Sequence, residues 1–208
     1  EGKAPMLFTA YEWLANQAMR ATTDISAARF AWPFLLFAWN LITRSVNVGG
    51  LMFDHISAID DSLTVVMHVE KQDQKGKDTA PKHIFANPVR PWLCCVLALA
   101  VYVFTMGPRR PGAKMLVFGN DAAEGRFGDW LRKFLRLFQD SLLAMGVIIS
   151  HIGTHSFRKG TATFLGGMVD GPSGIQIYLR AGWSLGLQKK YIHEGGGSDR
   201  LCGRAASG

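Results

Sequence analysis

Apolar residues recur at helical spacing along most of this chain. Leu7, Tyr11, Leu14 and Ala18, behind Pro5, mark a first amphipathic helix. A second is predicted from Asp24, whose short carboxylate suits an N-cap, towards Ile42 through Trp32-Pro33, where a kink is expected. The period then changes. Leu63 to Val69 is a partly alternating, β-branched run and predicts a strand. His83-Ile84-Phe85 is its return partner across the polar turn Lys71 to Pro81, which gives a small hairpin with a basic tip.

Trp92 to Met106 is apolar on every face, between Pro91 and Gly107. A membrane-spanning helix needs about 20 such residues, so this shorter run reads as a buried core helix, with no membrane partner. Phe127, Trp130, Leu131, Phe134, Leu135 and Phe138 fall on one face of a further helix, whose other face carries Arg132, Lys133 and Arg136. Thr154 is placed to cap a helix through HSFRKGTATFL. Pro172 to Arg180 is another, stopped by Gly182, and a short helix through Gln188 and Tyr191 runs to a flexible exit at Gly195-Gly196-Gly197. The whole is mainly α with a small antiparallel β-sheet, an α+β pattern.

Composition narrows the partners. With 208 residues, 48% hydrophobic and 19% charged, the chain suits one globular domain with a full core. Its net charge of +7 is unevenly placed: residues 1–70 sum to −3 and residues 71–208 to +10. That asymmetry favours a polyanion, nucleic acid first. Three cysteines, two of them adjacent in the apolar run at Cys94-Cys95, suit a reducing compartment better than a disulfide framework. No leader pattern opens the chain, so the expected setting is intracellular.

The chemistry concentrates late in the chain. His155 and Arg158 stand one helical turn apart and can address one anion together. Arg180-Ala181-Gly182-Trp183 follows, then Tyr191; upstream, Arg44 closes Trp39-Asn40-Leu41-Ile42-Thr43-Arg44, and Lys71 starts the hairpin turn. A zinc reading of His151 and His155 fails on Ile152, which stands where a metalloprotease has Glu, and on the absence of a third ligand in the pattern.

In order, type and spacing, Arg44, Lys71, His155, Arg158, Trp183 and Tyr191 resemble the active-site set of the tyrosine recombinase (phage-integrase-like) superfamily. There an early Arg and a hairpin Lys precede a His-x-x-Arg box, a His or Trp, and a Tyr. WNLITRS, KQDQKG, GTHSFRKG and RAGW look like the Crypton-type recombinases of eukaryotic mobile elements, and the resemblance covers nearly the whole chain. Lys71 is the hairpin lysine if KQDQKG matches the family's Lys-x-Asp-Gln-x-Gly; Lys75 and Lys77 share its turn. The Glu that often follows the first Arg in the family is absent, with Val46 and Asn47 in its place.

The resemblance implies the recombinase catalytic-domain fold over residues 1–208, with the preceding DNA-clamping domain absent and the tail Leu201–Gly208 a shortened form of a segment that docks on a neighbouring protomer. It implies metal-independent cleavage and rejoining of double-stranded DNA through a 3′-phosphotyrosyl intermediate, in a homotetrameric synapse, with no cofactor and, in a eukaryote, in the nucleus. Arg44 and Arg158 hold the phosphate oxygens, Tyr191 attacks, His155 accepts or relays its proton, Lys71 protonates the leaving 5′-oxygen and Trp183 donates its indole N–H. Lys75, Lys77, Arg132, Arg136 and Lys159 are candidate DNA-backbone contacts. The rival readings are a DNA-binding module without turnover, a type IB topoisomerase-like relaxing enzyme and an unrelated metal-binding protein.

Overall fold

The second predicted helix becomes the centre of the molecule. In the computed structural model, which describes residues 2–67, 80–105, 115–119, 122–183 and 196–208, helix α2 (Ile25–Asn40) is buried without interruption from Phe30 to Asn40. Helix α1 (Phe8–Met19) packs on it through Tyr11, Leu14 and Ala18, with the Tyr11 ring stacked on Trp39 at 4.0 Å. Pro33 lies inside α2 and withholds one backbone N–H. Asp24 does not cap the helix as expected. Its backbone is left-handed (φ 48°), not the extended form from which an N-cap side chain reaches the first amides, and no side-chain bond forms.

Helix α3 (Ser45–Gly49) follows α2 directly and leads into the sheet. Strands β1 (Ile56–Ile59), β2 (Ser62–Val65) and β3 (Lys82–Phe85) form an antiparallel sheet in that order, with Thr64 opposite His83 and Val65 opposite Lys82. The predicted hairpin is therefore β2–β3; its tip falls in residues 68–79, outside the described residues. The β1–β2 turn at Asp60-Asp61 uses the left-handed backbone that Asp tolerates (Asp60 φ 53°).

The apolar run after Pro91 becomes a 3-10 turn (Pro91–Leu93) and helix α4 (Cys95–Thr105), but α4 is not a fully buried core helix. Cys95, Ala98 and Tyr102 face the core, whereas Leu97, Val103 and Phe104 are exposed, Phe104 by 87%. An all-apolar sequence sets no preference among faces; neighbouring elements decide, and here α2 covers one side. Helix α5 (Ala123–Leu137) matches its stripe, with Phe127, Trp130, Leu131, Phe134 and Leu135 buried and Arg132, Lys133 and Arg136 exposed. Helix α6 (Gln139–Ala144) turns the chain back towards α7 (Thr154–Gly166) and α8 (Gly174–Ala181).

Thr154 is the first residue of α7 and not its cap: Gly153 holds that place, and its N–H donates to Ser156 Oγ at 3.0 Å. An extended N-terminal segment lies across α7, with Ala4 N–H donating to His151 O (2.8 Å) and Met6 N–H to Ser156 O (2.9 Å). This crossing requires Gly160, where a Cβ would clash with the Met6 carbonyl and come within 3.0 Å of the Trp39 ring.

Gly196 and Gly197, predicted as part of a flexible exit, instead open helix α9 (Gly196–Ala206), which takes in most of the tail expected to dock on a neighbouring protomer. It packs on β3 of the same chain. Cys202 and Ala206 join a small apolar cluster with Ile42, Leu165 and Ile177, and Asn87 Nδ2 donates to Ser207 O at 2.8 Å. Arg200 and Arg204 pair with Asp60 and Asp61, each at 2.7 Å, across to the β1–β2 turn. The Arg204 hydrogen bond holds the Asp61 carboxyl below its usual range. Burial of these apolar faces outweighs the low helix propensity of the glycines.

Candidate active site

The His-x-x-Arg helix presents its two functional groups differently. His155 is exposed on the first turn of α7, at the positive end of the helix dipole, which favours an anion. Arg158 is 9% exposed. Its Nη2 donates to Ala181 O at 2.6 Å, and its Cζ lies 5.4 Å from the centroid of the Trp183 ring. A guanidinium in this position keeps its charge and remains beside the indole through cation–π attraction.

The end of α8 explains why Trp183 is there. Gly182 takes the left-handed conformation (φ 65°, ψ 32°), its N–H donating to Leu179 O at 2.9 Å and that of Trp183 to Tyr178 O at 3.0 Å. This paired closure reverses the chain immediately after the helix, and glycine accepts the left-handed backbone at no steric cost. Tyr178 then meets the indole edge-on at 4.9 Å and 75°. A recess of about 410 Å³ adjoins the ring, lined by Pro5, Lys159, Ala162, Thr163 and Trp183.

Arg44 stands at the N-cap of α3, half-buried, its carbonyl accepting from Asn47 and Val48 N–H at 3.0 and 3.2 Å. No carboxylate follows it in sequence, but one arrives from α5: Ser45 Oγ donates to Glu124 Oε1 at 2.8 Å. The turn before Arg44 is tied to both other parts of the site. Thr161 of α7 donates to Trp39 O at 3.1 Å, and Arg180 of α8 donates to Asn40 O through Nε and Nη2 at 3.2 and 2.8 Å.

Arg180 is the residue that sequence reasoning passed over. It is fully buried, also donates to His83 O (2.8 Å), and forms an ion pair with Asp199 of α9. In sequence it sits among apolar residues of a helix whose other partner lies beyond Tyr191, so nothing local marks it. Lys71, Lys75, Lys77 and Tyr191 lie outside the described residues. Of the candidate backbone contacts, Arg132 and Arg136 are exposed on α5, with Arg132 paired to Asp129. Lys159 is exposed and donates to Lys3 O at 2.5 Å. Among the described residues no group of three or more His, Cys, Asp or Glu side chains is placed to hold a metal ion, and no helix is long and apolar enough to cross a membrane.

No family model matches the sequence, and no curated protein is significantly similar to it. In structure, the chain is similar to the XerH site-specific recombinase, as seen in a pre-cleavage complex bound to its difH substrate, with a TM-score of 0.59 and 12% identity. The match covers 97% of this chain and 50% of that one, so this chain spans half the length of that protein. At this identity the likeness is one of fold: the helical body with its three-stranded antiparallel sheet is the fold of a tyrosine recombinase catalytic domain.

Proposed function

We propose that this protein breaks and rejoins DNA strands through a 3′-phosphotyrosyl intermediate, as the recombinase of a mobile element. The observation that supports this best is the convergence of Arg158 from α7 and Trp183 from the turn after α8, in a fold shared with a site-specific recombinase. The sequence places Tyr191 eight residues beyond that indole.

In this reading Arg44 and Arg158 hold the non-bridging oxygens of the scissile phosphate. Charge builds on those oxygens as the phosphorus becomes five-coordinate. Preorganised donors aimed at them are worth roughly 3–4 kcal/mol each in the barrier. Trp183 adds an indole N–H while its ring keeps the Arg158 guanidinium in place. Exposed His155 is accessible to take the proton of the Tyr191 phenol, whose unperturbed pKa of about 10 makes it a poor nucleophile unaided. A lysine of the β2–β3 turn, Lys71 by its match, protonates the departing 5′-oxygen. The phosphotyrosyl ester conserves the bond energy needed for rejoining. The basic face of α5 and the charge of residues 71–208 bind the backbone of double-stranded DNA, and four protomers assemble on paired sites.

The test is a nicked suicide substrate, from which the cleaved strand diffuses away, incubated with wild-type protein and Tyr191→Phe in chelator. A denaturation-resistant protein–DNA adduct in the wild type alone is the expected result. DNA binding without an adduct in either protein favours the DNA-binding module without turnover, and no binding at all overturns the proposal.

A further inference from the structure

The structure assigns a second role to the end of the chain. We infer that Arg180 and Asp199 are positioning residues for the reaction proposed above, acting through Asn40, Ala181 and the Gly182-Trp183 turn. The inference rests on that functional reading for its consequence in catalysis, but its structural half stands independently.

Three observations carry it. First, the pair is fully withdrawn from water: the side chains are 0% and 3% exposed. A charge in that position demands compensation, and only Asp199 supplies an opposite one to Arg180 among the partners seen here. Second, Arg180 divides its donors among elements that carry the site. Nε and Nη2 go to Asn40 O, at the end of the helix that leads to Arg44, and Nη2 also goes to His83 O in β3, the strand that closes the lysine-bearing turn. Nη1 goes to Asp199 O at 3.1 Å as well as to its carboxylate. Third, the residue after Arg180 is Ala181, whose carbonyl receives Arg158, and two residues further is Trp183. A shift of Arg180 therefore moves the acceptor of Arg158 and the base of the Trp183 turn together.

Asp199 is equally committed. Its other oxygen accepts His83 N–H at 2.6 Å, so the carboxylate bridges α8 and β3. The glycine at 203 lets α9 approach this strand: a Cβ there would clash with the His83 carbonyl and reach 3.1 Å from the Phe85 ring. Helix α9 thus acts as a built-in counter-ion for the last turn of α8. Its docking and the geometry of Arg158 and Trp183 are one equilibrium.

The inference is tested with the full chain in two ways. Hydrogen exchange on the wild type is expected to show the amides of residues 178–183 and of α9 opening as one cooperative unit. Separate opening of the two overturns the coupling, whatever the protein's activity. Single-turnover cleavage of the suicide substrate then compares wild type, Asp199→Asn and the double variant Arg180→Met/Asp199→Leu. Asp199→Asn is expected to cut the cleavage rate about 100-fold, as a misplacement near 1 Å does, with DNA affinity within about threefold of wild type. The double variant removes both charges, so it is expected to be more stable than Asp199→Asn, though below wild type because Asn40 O, His83 O and His83 N–H lose these partners, and to remain slow. A double variant that is both stable and fully active shows the pair to be structural filler and overturns the inference. It also decides the matter should Asp199→Asn fail to fold. If the wild type itself forms no adduct, the functional reading fails, while hydrogen exchange still decides the coupling.

Discussion

Arg158 touches the last residue of α8 and the turn after it, through a hydrogen bond to the Ala181 carbonyl and through the face of the Trp183 ring 5.4 Å from its guanidinium carbon. Trp183→Phe keeps a ring beside the guanidinium and loses the indole N–H. Its cleavage rate is expected to fall about 10-fold, the scale of one neutral hydrogen bond in the transition state. Arg158→Lys loses the planar fork, the ring contact and the geometry of the Ala181 bond, and is expected to fall at least about 100-fold. Equal losses in the two variants would sink the separation of their roles.

The lysine proposed as general acid, Lys71 with Lys75 and Lys77 as alternatives, can be identified chemically. A general acid matters only while the leaving oxygen is strongly basic; a 5′-bridging sulfur leaves as a stable thiolate without a proton. Lys71→Ala is therefore expected to be slow on ordinary DNA and restored by the phosphorothiolate substrate. Lys75→Ala and Lys77→Ala are expected to lose DNA affinity evenly, with no sulfur rescue. Rescue of either one instead of Lys71 moves the acid to that position.

Gly160→Ala puts a methyl group into the crossing of the N-terminal segment over α7, against the Met6 carbonyl and the Trp39 ring. Backbone there cannot yield without losing the Met6–Ser156 hydrogen bond. A cost of about 3 kcal/mol is expected, roughly a 10 °C loss in Tm for a domain of this size. An unchanged melting curve would show that the segment does not hold to α7 in solution.

Burial pushes the His83 imidazole below its ordinary 6.5, helped by Arg200 and Arg180 and opposed by Asp199 and Asp60. Its Nδ1 lies 2.8 Å from Ser62 Oγ. Between the ordinary and the lowered value the unfolded chain binds the proton that the folded chain refuses. Stability is therefore complete above about pH 6.5 and declines as the pH falls through that window. Urea unfolding at about pH 7.5 and about pH 5.5 should show the decline, and His83→Gln should lessen the difference between those two conditions.

Much of this architecture is legible in sequence because α1 and α5 carry one-sided apolar stripes, α2 an unbroken apolar run and α8 a glycine stop. Gly182 after Arg180-Ala181 foretells the turn that aims Trp183, and the His155–Arg158 spacing foretells a shared helix. What is not legible depends on distant partners. Helix α4 is apolar all round, so only the position of α2 tells which face is covered. Gly196, Gly197 and Gly203 argue against a helix by local propensity, yet the close approach of Gly203 to His83 is what lets α9 dock. The burial of Arg180 rests on Asp199, nineteen positions along, and no local pattern connects the two.

The position of Asp199 in the chain also bears on biosynthesis. A polypeptide leaves the ribosome from its N-terminus, and α9 is the last of the described elements to be made. Until it emerges, Arg180 has no counter-ion and the small cluster of Ile42, Leu165 and Ile177 lacks Cys202 and Ala206, whereas the main core draws on no residue of α9. Closure of that small cluster and of the α8–β3 junction waits for α9. A nascent chain stalled before Asp199 should remain sensitive to protease in α8 and β3, and one released a few residues later should not.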